Sequence, residues 1–204
     1  MADNYALQAQ RAKEHFLTYD QEEILRRVTL PFDRDYFYPT MLGFSYRLCR
    51  KTGNLQKNID GIWQDANSHG EVMTLLDWLC DSKADRFLTG RLAPMQSFGR
   101  QFHQNLLEDR PHPLALWIDR HPQAFQALCK ELGCRELSGG DFGFGFELFD
   151  GLSIGLCFWF GDEEFLTSLR FFWDENATSY LRYETMYFAV GMLTGLLSEK
   201  LMIQ

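Results

Sequence analysis

A group of carboxylates near the C-terminal end of the chain is the first candidate for chemistry. Asp162, Glu163 and Glu164 occupy the turn between two aromatic runs, and Asp174 and Glu184 follow the second run. Carboxylate oxygens are the ligands that Mg²⁺ and Ca²⁺ prefer, and paired carboxylates also act as general acid and base. Adjacent residues in a turn point apart, so a solvated hairpin tip is the competing interpretation. The metal or acid–base hypothesis requires at least three of these side chains to converge.

Aromatic side chains are the second candidate. Trp159, Phe171 and Trp173 lie in the strand-like runs 156–160 and 169–173. Such side chains either line a ligand groove or fill the core, since each buries about 150–250 Å². The sequence leaves both alternatives open for these three residues.

Motifs for other chemistry are missing from the sequence. The glycine-rich stretch 138–145 has neither the dinucleotide-binding pattern nor the Lys-Ser/Thr of a phosphate loop. His103, His112 and His121 lack the close spacing of zinc ligands, as do Cys129 and Cys134. No nucleophile elbow surrounds a serine, and no local motif predicts a lowered pKa for a cysteine. The cofactor and the catalytic residues are therefore unknown from the sequence.

Charge, hydropathy and cysteine content limit which partners and which cellular compartment we expect for the protein. The 204-residue chain has 20 Lys and Arg against 28 Asp and Glu, a formal charge of −8, which argues against the basic face of a nucleic-acid-binding protein. Its longest weakly polar run, 186–197, is shorter than the ~20 residues of a membrane span. The five cysteines are odd in number and suit a reducing compartment. Residues 1–5 have no features of a secretory signal.

We therefore expect a cytoplasmic protein that binds neither nucleic acid nor membranes. A small molecule, a protein partner and a second copy in a homodimer stay open as partners.

Hydrophobic spacing predicts helices and one hairpin in the first half of the chain. Apolar residues three and four apart predict a helix over about 5–28, broken near 18–20, with Asp20 at the start of its second part. Alternation over 44–48 predicts a half-buried strand, and Gly53-Asn54 a turn leading back. Further helices are predicted over 71–80, 102–107, 114–118, 122–132 and 183–200.

A three-stranded meander is predicted in the second half. Alternation over 142–148 puts the phenylalanines on one face of a strand and Gly143 and Gly145 on the other. Asp150-Gly151 predicts a tight turn into the second strand. On the last helix Gly191 and Gly195 are four residues apart, so we expect another backbone to approach closely there. These elements predict an α+β fold, an antiparallel sheet packed with helices, in a single compact domain over residues 1–204.

Four segments carry a resemblance to a known family. They are Phe-Gly-Asp-Glu-Glu-Phe at 160–165, Phe-Trp-Asp-Glu-Asn-Ala at 172–177, the residues around Tyr183-Glu184-Thr185, and Leu-Thr-Gly-Arg at 88–91. In these segments the chain resembles the uncharacterised bacterial and archaeal family catalogued as domain of unknown function 3786. The resemblance covers nearly the whole chain, and it implies no activity or catalytic residues because the family has none established.

Three functional hypotheses follow. The first is a binding or accessory module that holds a small ligand or a protein partner in an aromatic groove or at the acidic end of the sheet. The second is a divalent-metal-dependent enzyme that uses the carboxylate cluster. The third is a homo-oligomeric structural protein, for which a large exposed aromatic patch would be the mark. We favour the first, and convergence of the carboxylates separates it from the second.

Overall fold

The described part of the chain, residues 4–99 and 112–202 of a computed structural model, contains six α-helices and two antiparallel β-sheets. The helices are α1 (Asn4–Thr18), α2 (Gln21–Arg27), α3 (His69–Asp81), α4 (Pro113–Arg120), α5 (Pro122–Glu131) and α6 (Tyr183–Met202). The strands are β1 (Tyr36–Phe37), β2 (Thr40–Met41), β3 (Phe44–Cys49), β4 (Leu55–Ile59), β5 (Ile62–Asp65), β6 (Leu92–Pro94), β7 (Arg135–Leu137), β8 (Phe142–Phe149), β9 (Leu152–Trp159) and β10 (Ser168–Asp174). The predicted α+β class is confirmed. The predicted helix over 102–107 and the candidate ligand His103 lie outside the described residues.

The first sheet is a series of hairpins in the order β1–β3–β4–β5, with β2 paired to β3. Two of its turns have positive φ at both central residues: Leu42-Gly43, at 49° and 77°, and Asp60-Gly61, at 51° and 85°. This is type I′ geometry, whose twist matches that of the paired strands. The predicted strand and its return through 55–59 are confirmed, whereas β5 and its turn have no counterpart in the prediction.

The second sheet has the order β6–β10–β9–β8–β7 and contains the predicted meander. The predicted turn at Asp150-Gly151 again has positive φ at both residues. Directly opposed residues of neighbouring strands share a face. One face carries the row Phe144, Leu156 and Phe171, and the other carries the row Gly145, Gly155 and Phe172. The phenylalanines of β8 therefore face away from its glycines, as predicted.

Helix α3 joins the helices to the second sheet. Eight of its 13 residues are buried, and it contacts both α1 and α6. Ser68 caps its N-terminus, since the Ser68 hydroxyl oxygen accepts a hydrogen bond from the Glu71 N–H at 3.3 Å. Trp78 stacks on Phe149 of β8, with ring centroids 4.3 Å apart.

Arg27, the last residue of α2, closes the C-terminal end of α3. Its guanidinium donates hydrogen bonds of 2.6–3.0 Å to the carbonyl oxygens of Leu79, Cys80 and Ser82. The last carbonyls of a helix have no intrahelical partner. The cation therefore satisfies them and complements the negative end of the helix dipole.

Asp77, on the buried part of α3, fixes the start of α6. Its side chain is about 1% exposed, and its carboxylate accepts hydrogen bonds from the backbone N–H (2.8 Å) and the Nε (2.7 Å) of Arg182. A buried carboxylate needs such partners because water no longer solvates it. The contact sets the position of the first turn of α6 against α3.

Helix α6 has one buried face and one open face. Met186, Leu193 and Leu197 are fully buried on one side of the helix. The predicted backbone approach is not found: within the described residues, no atom lies within 4 Å of a Cβ built at Gly191 or Gly195. None of the helices in residues 4–99 and 112–202 combines the length and apolar character that crossing a bilayer requires.

We predict that Arg27→Met lowers the free energy of unfolding by about 1.5–3 kcal/mol, because it removes charge-assisted hydrogen bonds and leaves carbonyls of α3 unpaired. Urea denaturation followed by circular dichroism measures the change. Arg26→Met is the matched control, since Arg26 is the exposed neighbour on the same helix, and we expect it to change stability by less than about 0.5 kcal/mol. Equal effects of the two substitutions would contradict this role of Arg27.

Candidate functional site

The acidic turn between β9 and β10 is closed by its own first carboxylate. Asp162 accepts hydrogen bonds from the backbone N–H groups of Phe165 (2.7 Å) and Glu164 (2.8 Å). These two bonds lower the pKa of Asp162. Glu163 and Glu164 are exposed. The turn has the form of the solvated hairpin tip that the sequence left as the alternative.

Asp174 anchors a loop, and its carboxylate is buried. It accepts hydrogen bonds from the backbone N–H groups of Gly90 (2.8 Å), Asn176 (2.9 Å) and Thr89 (3.1 Å), and from the Thr89 hydroxyl. Burial by itself raises the pKa of Asp174, but these hydrogen bonds outweigh it and hold the pKa below its ordinary value. Asp174 therefore fixes the 89–90 turn against the end of β10.

The five candidate carboxylates do not form a metal cluster. Glu184 is exposed in the first turn of α6. In residues 4–99 and 112–202, which include all five, no group of three or more His, Cys, Asp or Glu side chains is placed to hold a metal ion. The convergence that the metal hypothesis requires is not found in this part of the chain.

The three candidate aromatic residues lie on two faces of the second sheet. Trp159 opposes Ser168, so alternation along β10 places Trp159 on the face opposite Phe171 and Trp173. Arg170 lies over the Trp159 ring, 5.3 Å from its centroid. Trp173 is fully buried in the core. A single groove lined by all three residues is therefore not formed.

A different groove opens where the first sheet, the N-terminus of α3 and the open face of α6 meet. Its volume is about 600 Å³. We call it the Lys57 groove, and its defining residues are Phe44, Tyr46, Lys57, Glu71, Gly191 and Gly195.

Glu71 is engaged through both carboxylate oxygens. Oε1 accepts a hydrogen bond from the Tyr46 hydroxyl at 2.8 Å and lies 3.4 Å from Lys57 Nζ, and Oε2 accepts one from Ser68 Oγ at 2.7 Å. The Ser68-x-x-Glu71 spacing is that of a capping box. Burial raises the pKa of Tyr46, and the neighbouring Glu71 carboxylate adds to the effect, so the phenol stays protonated and remains a donor.

Lys57 presents a cation on the wall of the groove. Its Nζ lies over the Phe44 ring, 3.7 Å from the centroid, and its side chain is 23% exposed. Contact with the ring face favours the ammonium electrostatically. An ammonium has three N–H donors. Among the described residues, the Glu71 carboxylate and the Phe44 ring contact the ammonium from two sides. The third N–H can then donate to an oxygen of a ligand.

The opposite wall is apolar and open. Gly191 and Gly195 are one helical turn apart on α6, and both are exposed. Phe188 and Met192 add apolar surface beside them. Because the two glycines lack side chains, a ligand can approach the backbone of α6.

A second groove, of about 630 Å³, adjoins the first. We call it the Cys134 groove, defined by Thr40, Cys134, Gly145 and Asp174 together with Leu42 and Leu196, which line both grooves.

Leu42 has a φ of 49°, uncommon for a bulky residue, and its N–H donates a hydrogen bond to the Leu148 carbonyl at 3.0 Å. The turn of the β2–β3 hairpin lies where the two grooves meet, because Leu42 lines both.

Sequence reasoning missed the Lys57 groove, although part of its signal is present. The Ser68-x-x-Glu71 capping box is visible in the sequence, and the glycine spacing on α6 was interpreted as a packing contact. The approach of Lys57 to Glu71 depends on how β4 lies against α3. No local sequence pattern shows how these two elements pack against each other.

The fold and the groove define an α+β protein of two antiparallel sheets with a ligand-sized groove beside its last helix. The chain belongs to the family described as Domain of unknown function (DUF3786), whose model matches residues 20–195. Searches of curated proteins and of solved structures gave no significant match.

We predict that Asp174→Asn lowers the free energy of unfolding by about 1.5–3 kcal/mol at pH 7, because hydrogen bonds to a charged acceptor become bonds to a neutral one. The pKa of Asp174 is lowered in the folded state, so its contribution is present above the unfolded pKa of about 4 and is lost as the pH falls through the folded pKa. The difference in the free energy of unfolding between the wild type and Asp174→Asn should therefore become smaller below about pH 4. Urea denaturation across pH 3–7 tests this.

Asp162→Asn is the control for this series, since its carboxylate also accepts two backbone hydrogen bonds but lies in an exposed turn. We expect Asp162→Asn to lower the free energy of unfolding clearly less than Asp174→Asn does. A pH-independent effect of Asp174→Asn would contradict the account.

Proposed function

We propose that the protein is a binding module that holds a small molecule with an apolar body and one acidic end in the Lys57 groove. The observation that carries the proposal is the pairing of a partly exposed Lys57 ammonium with the open glycine face of α6 across one groove. The acidic end would accept a hydrogen bond from Lys57. The apolar body would lie against Gly191 and Gly195.

The size of the groove supports a small molecule. Ligand pockets typically have volumes of about 300–1,000 Å³ and are mostly apolar, with a few placed polar groups. The Lys57 groove has a volume of about 600 Å³. Phe44, Phe188 and Met192 contribute apolar surface. The polar side chains are Lys57, Glu71 and Ser68 near the start of α3, together with Tyr46, Tyr187 and, on α6, Glu199.

The position of the polar groups supports an acidic ligand end. Lys57 supplies a positive charge, and the N-terminal end of α3, where Ser68 and Gly70 lie, adds the positive end of a helix dipole. Glu71 and the exposed Glu199 of α6 offset this charge. At the α3 end both oxygens of Glu71 are already engaged by Tyr46, Ser68 and Lys57. A ligand oxygen therefore meets donors at this end of the groove.

The same engagement of Glu71 favours binding over catalysis. A general base must lie within hydrogen-bond reach of the proton that it removes, and each hydrogen bond that it already accepts uses one of its lone pairs. Both Glu71 oxygens accept hydrogen bonds within the protein. The alternative of a divalent-metal-dependent enzyme requires the convergence of carboxylates that residues 4–99 and 112–202 do not provide. No observation on the described residues favours it.

The cellular location and partners belong to the same proposal. The five free cysteines support a reducing, cytoplasmic compartment. The formal charge of −8 weighs against nucleic acid as the partner. A protein segment or a second copy of the chain would be the occupant of the groove if no small molecule binds there.

We predict that 1-anilinonaphthalene-8-sulfonate, an aromatic anion, binds the folded protein and loses about tenfold in affinity in Lys57→Met, equivalent to ~1.4 kcal/mol. Nile red, a neutral dye of similar apolar character, should lose less than about twofold in the same variant, because only the acidic group uses the lysine. Fluorescence titration measures both affinities. Lys51→Met is the matched control, since Lys51 is exposed and paired with Asp35 away from the groove.

We further predict that Gly195→Leu abolishes binding of both dyes, because its side chain occupies the groove, without lowering the thermal midpoint. Replacing an exposed helical glycine by a good helix former contributes about 0.8–1 kcal/mol. Ala127→Leu adds the same kind of side chain to the exposed face of α5 and should leave dye binding unchanged. Unchanged dye binding in Gly195→Leu, or equal losses of both dyes in Lys57→Met, would contradict the proposal.

A further inference from the structure

Two cysteines are brought together by the way in which α5 ends. Gly133 has a φ of 67°, its N–H donates to the Lys130 carbonyl at 3.0 Å, and the Cys134 N–H donates to the Cys129 carbonyl at 2.9 Å. These two bonds with a left-handed glycine form a Schellman motif. The motif is frequently accompanied by a side-chain contact between the third-last residue of the helix, here Cys129, and the third residue beyond its end, here Cys134. That contact is ordinarily apolar, and here both partners are cysteines.

The two thiols have different surroundings. Cys129 is fully buried, whereas Cys134 is partly exposed and lines the Cys134 groove beside Arg135. The interaction of the two thiols raises the pKa of Cys129 and lowers the pKa of Cys134; burial adds to the first shift and opposes the second. The thiolate is the form of cysteine that attacks a disulfide. Of the two, Cys134 is therefore the one that both ionises first and meets solvent.

The remaining cysteines serve as internal references. Cys80 and Cys157 are buried, and burial raises the pKa of both thiols. Cys49 is partly exposed at the end of β3; burial by itself raises its pKa, but hydrogen bonds with Thr52 and Lys51 hold the pKa below its ordinary value. Cys49 is therefore the reference for a single exposed thiol, which can bind glutathione but is not the predicted partner of a protein disulfide. No sequence motif distinguishes these three cysteines from Cys134, because the Cys129–Cys134 contact depends on the glycine that ends α5 and not on a Cys-x-x-Cys spacing.

We propose that Cys129 and Cys134 form a reversible dithiol–disulfide site that reacts with low-molecular-weight disulfides, with Cys134 as the attacking thiol and Cys129 as the resolving thiol. The site is independent of the function proposed for the Lys57 groove.

The reaction proceeds in two exchanges. The Cys134 thiolate attacks one sulfur of the small disulfide; the new bond to Cys134 forms, the small S–S bond breaks, and the first small thiolate leaves and takes up a proton. Cys129 then loses its proton to solvent and attacks Cys134 Sγ, which releases the second small thiol and closes the Cys129–Cys134 bond. The two protein thiols lose two electrons, and the small disulfide is reduced to two thiols.

The test is an exchange experiment on the full chain with glutathione disulfide as the probe. Reduced protein is incubated with mixtures of glutathione and glutathione disulfide, quenched with acid, and alkylated with iodoacetamide under denaturing conditions. Intact mass gives the number of alkylated cysteines, and peptide mapping identifies any linked pair. We expect the number to fall from the five free cysteines to three, with Cys129 linked to Cys134, and to return to five with dithiothreitol. This arm needs no substitution, so folding of a variant does not limit it.

Single substitutions assign the two roles. Cys129→Ser should accumulate glutathione bound to Cys134, because the resolving thiol is missing. Cys134→Ser should leave Cys129 reduced, because Cys129 is buried. Cys157→Ser is the matched control and should form the 129–134 disulfide as wild type does.

Two results would overturn the proposal. The first is wild-type protein that retains five alkylated cysteines, or links another pair, in glutathione disulfide alone. The second is glutathione bound to Cys129 in Cys134→Ser as readily as to Cys134 in Cys129→Ser. Either result would mean that the contact between Cys129 and Cys134 is only a packing contact at the C-terminal end of α5.

Discussion

The burial of α3 is the constraint on which the rest of the structure depends. Most of this helix lies inside the protein, so the carbonyl groups at its C-terminal end and the Asp77 carboxylate depend on protein partners where water no longer solvates them. Arg27 satisfies the carbonyls at one end, Ser68 caps the other, and Asp77 pairs with Arg182. The Arg27 contact joins α3 to α2, and the Asp77 contact joins it to the start of α6. The helix therefore fixes the positions of its neighbours.

The Lys57 groove follows from the same contacts. Glu71 completes the cap of α3 and also binds Tyr46 and approaches Lys57, so the end of the helix positions the polar wall of the groove. Asp77 sets the start of α6, whose glycine face forms the opposite wall. The cation and the open helix face thus stand across from each other because one buried helix positions both. The stability of the core and the geometry of the groove are linked.

Local patterns predicted much of the fold and little of the site. The break at Asp20, the meander of β8 to β10 and the helix beginning at Tyr183 follow from periodicity and turn residues, which act over a few positions. The acidic turn is a candidate site by sequence because its carboxylates are adjacent, yet Asp162 accepts hydrogen bonds from the backbone of its own turn. Trp159 and Trp173 are separated onto two faces by the register of β9 and β10. Register and helix packing are tertiary properties, so the Lys57–Glu71 contact could not be predicted from spacing.

The most direct test of the central claim, that the Lys57 groove holds a small molecule, is native mass spectrometry of the wild type and of Gly195→Leu, both purified from cells without added ligand. We expect the wild type to carry an extra mass of roughly a few hundred daltons, the range of ligands that fit a groove of this size, above the 23.9 kDa chain. Gly195→Leu should show the mass of the chain alone. The same adduct on both proteins, or no adduct on the wild type, would contradict the account.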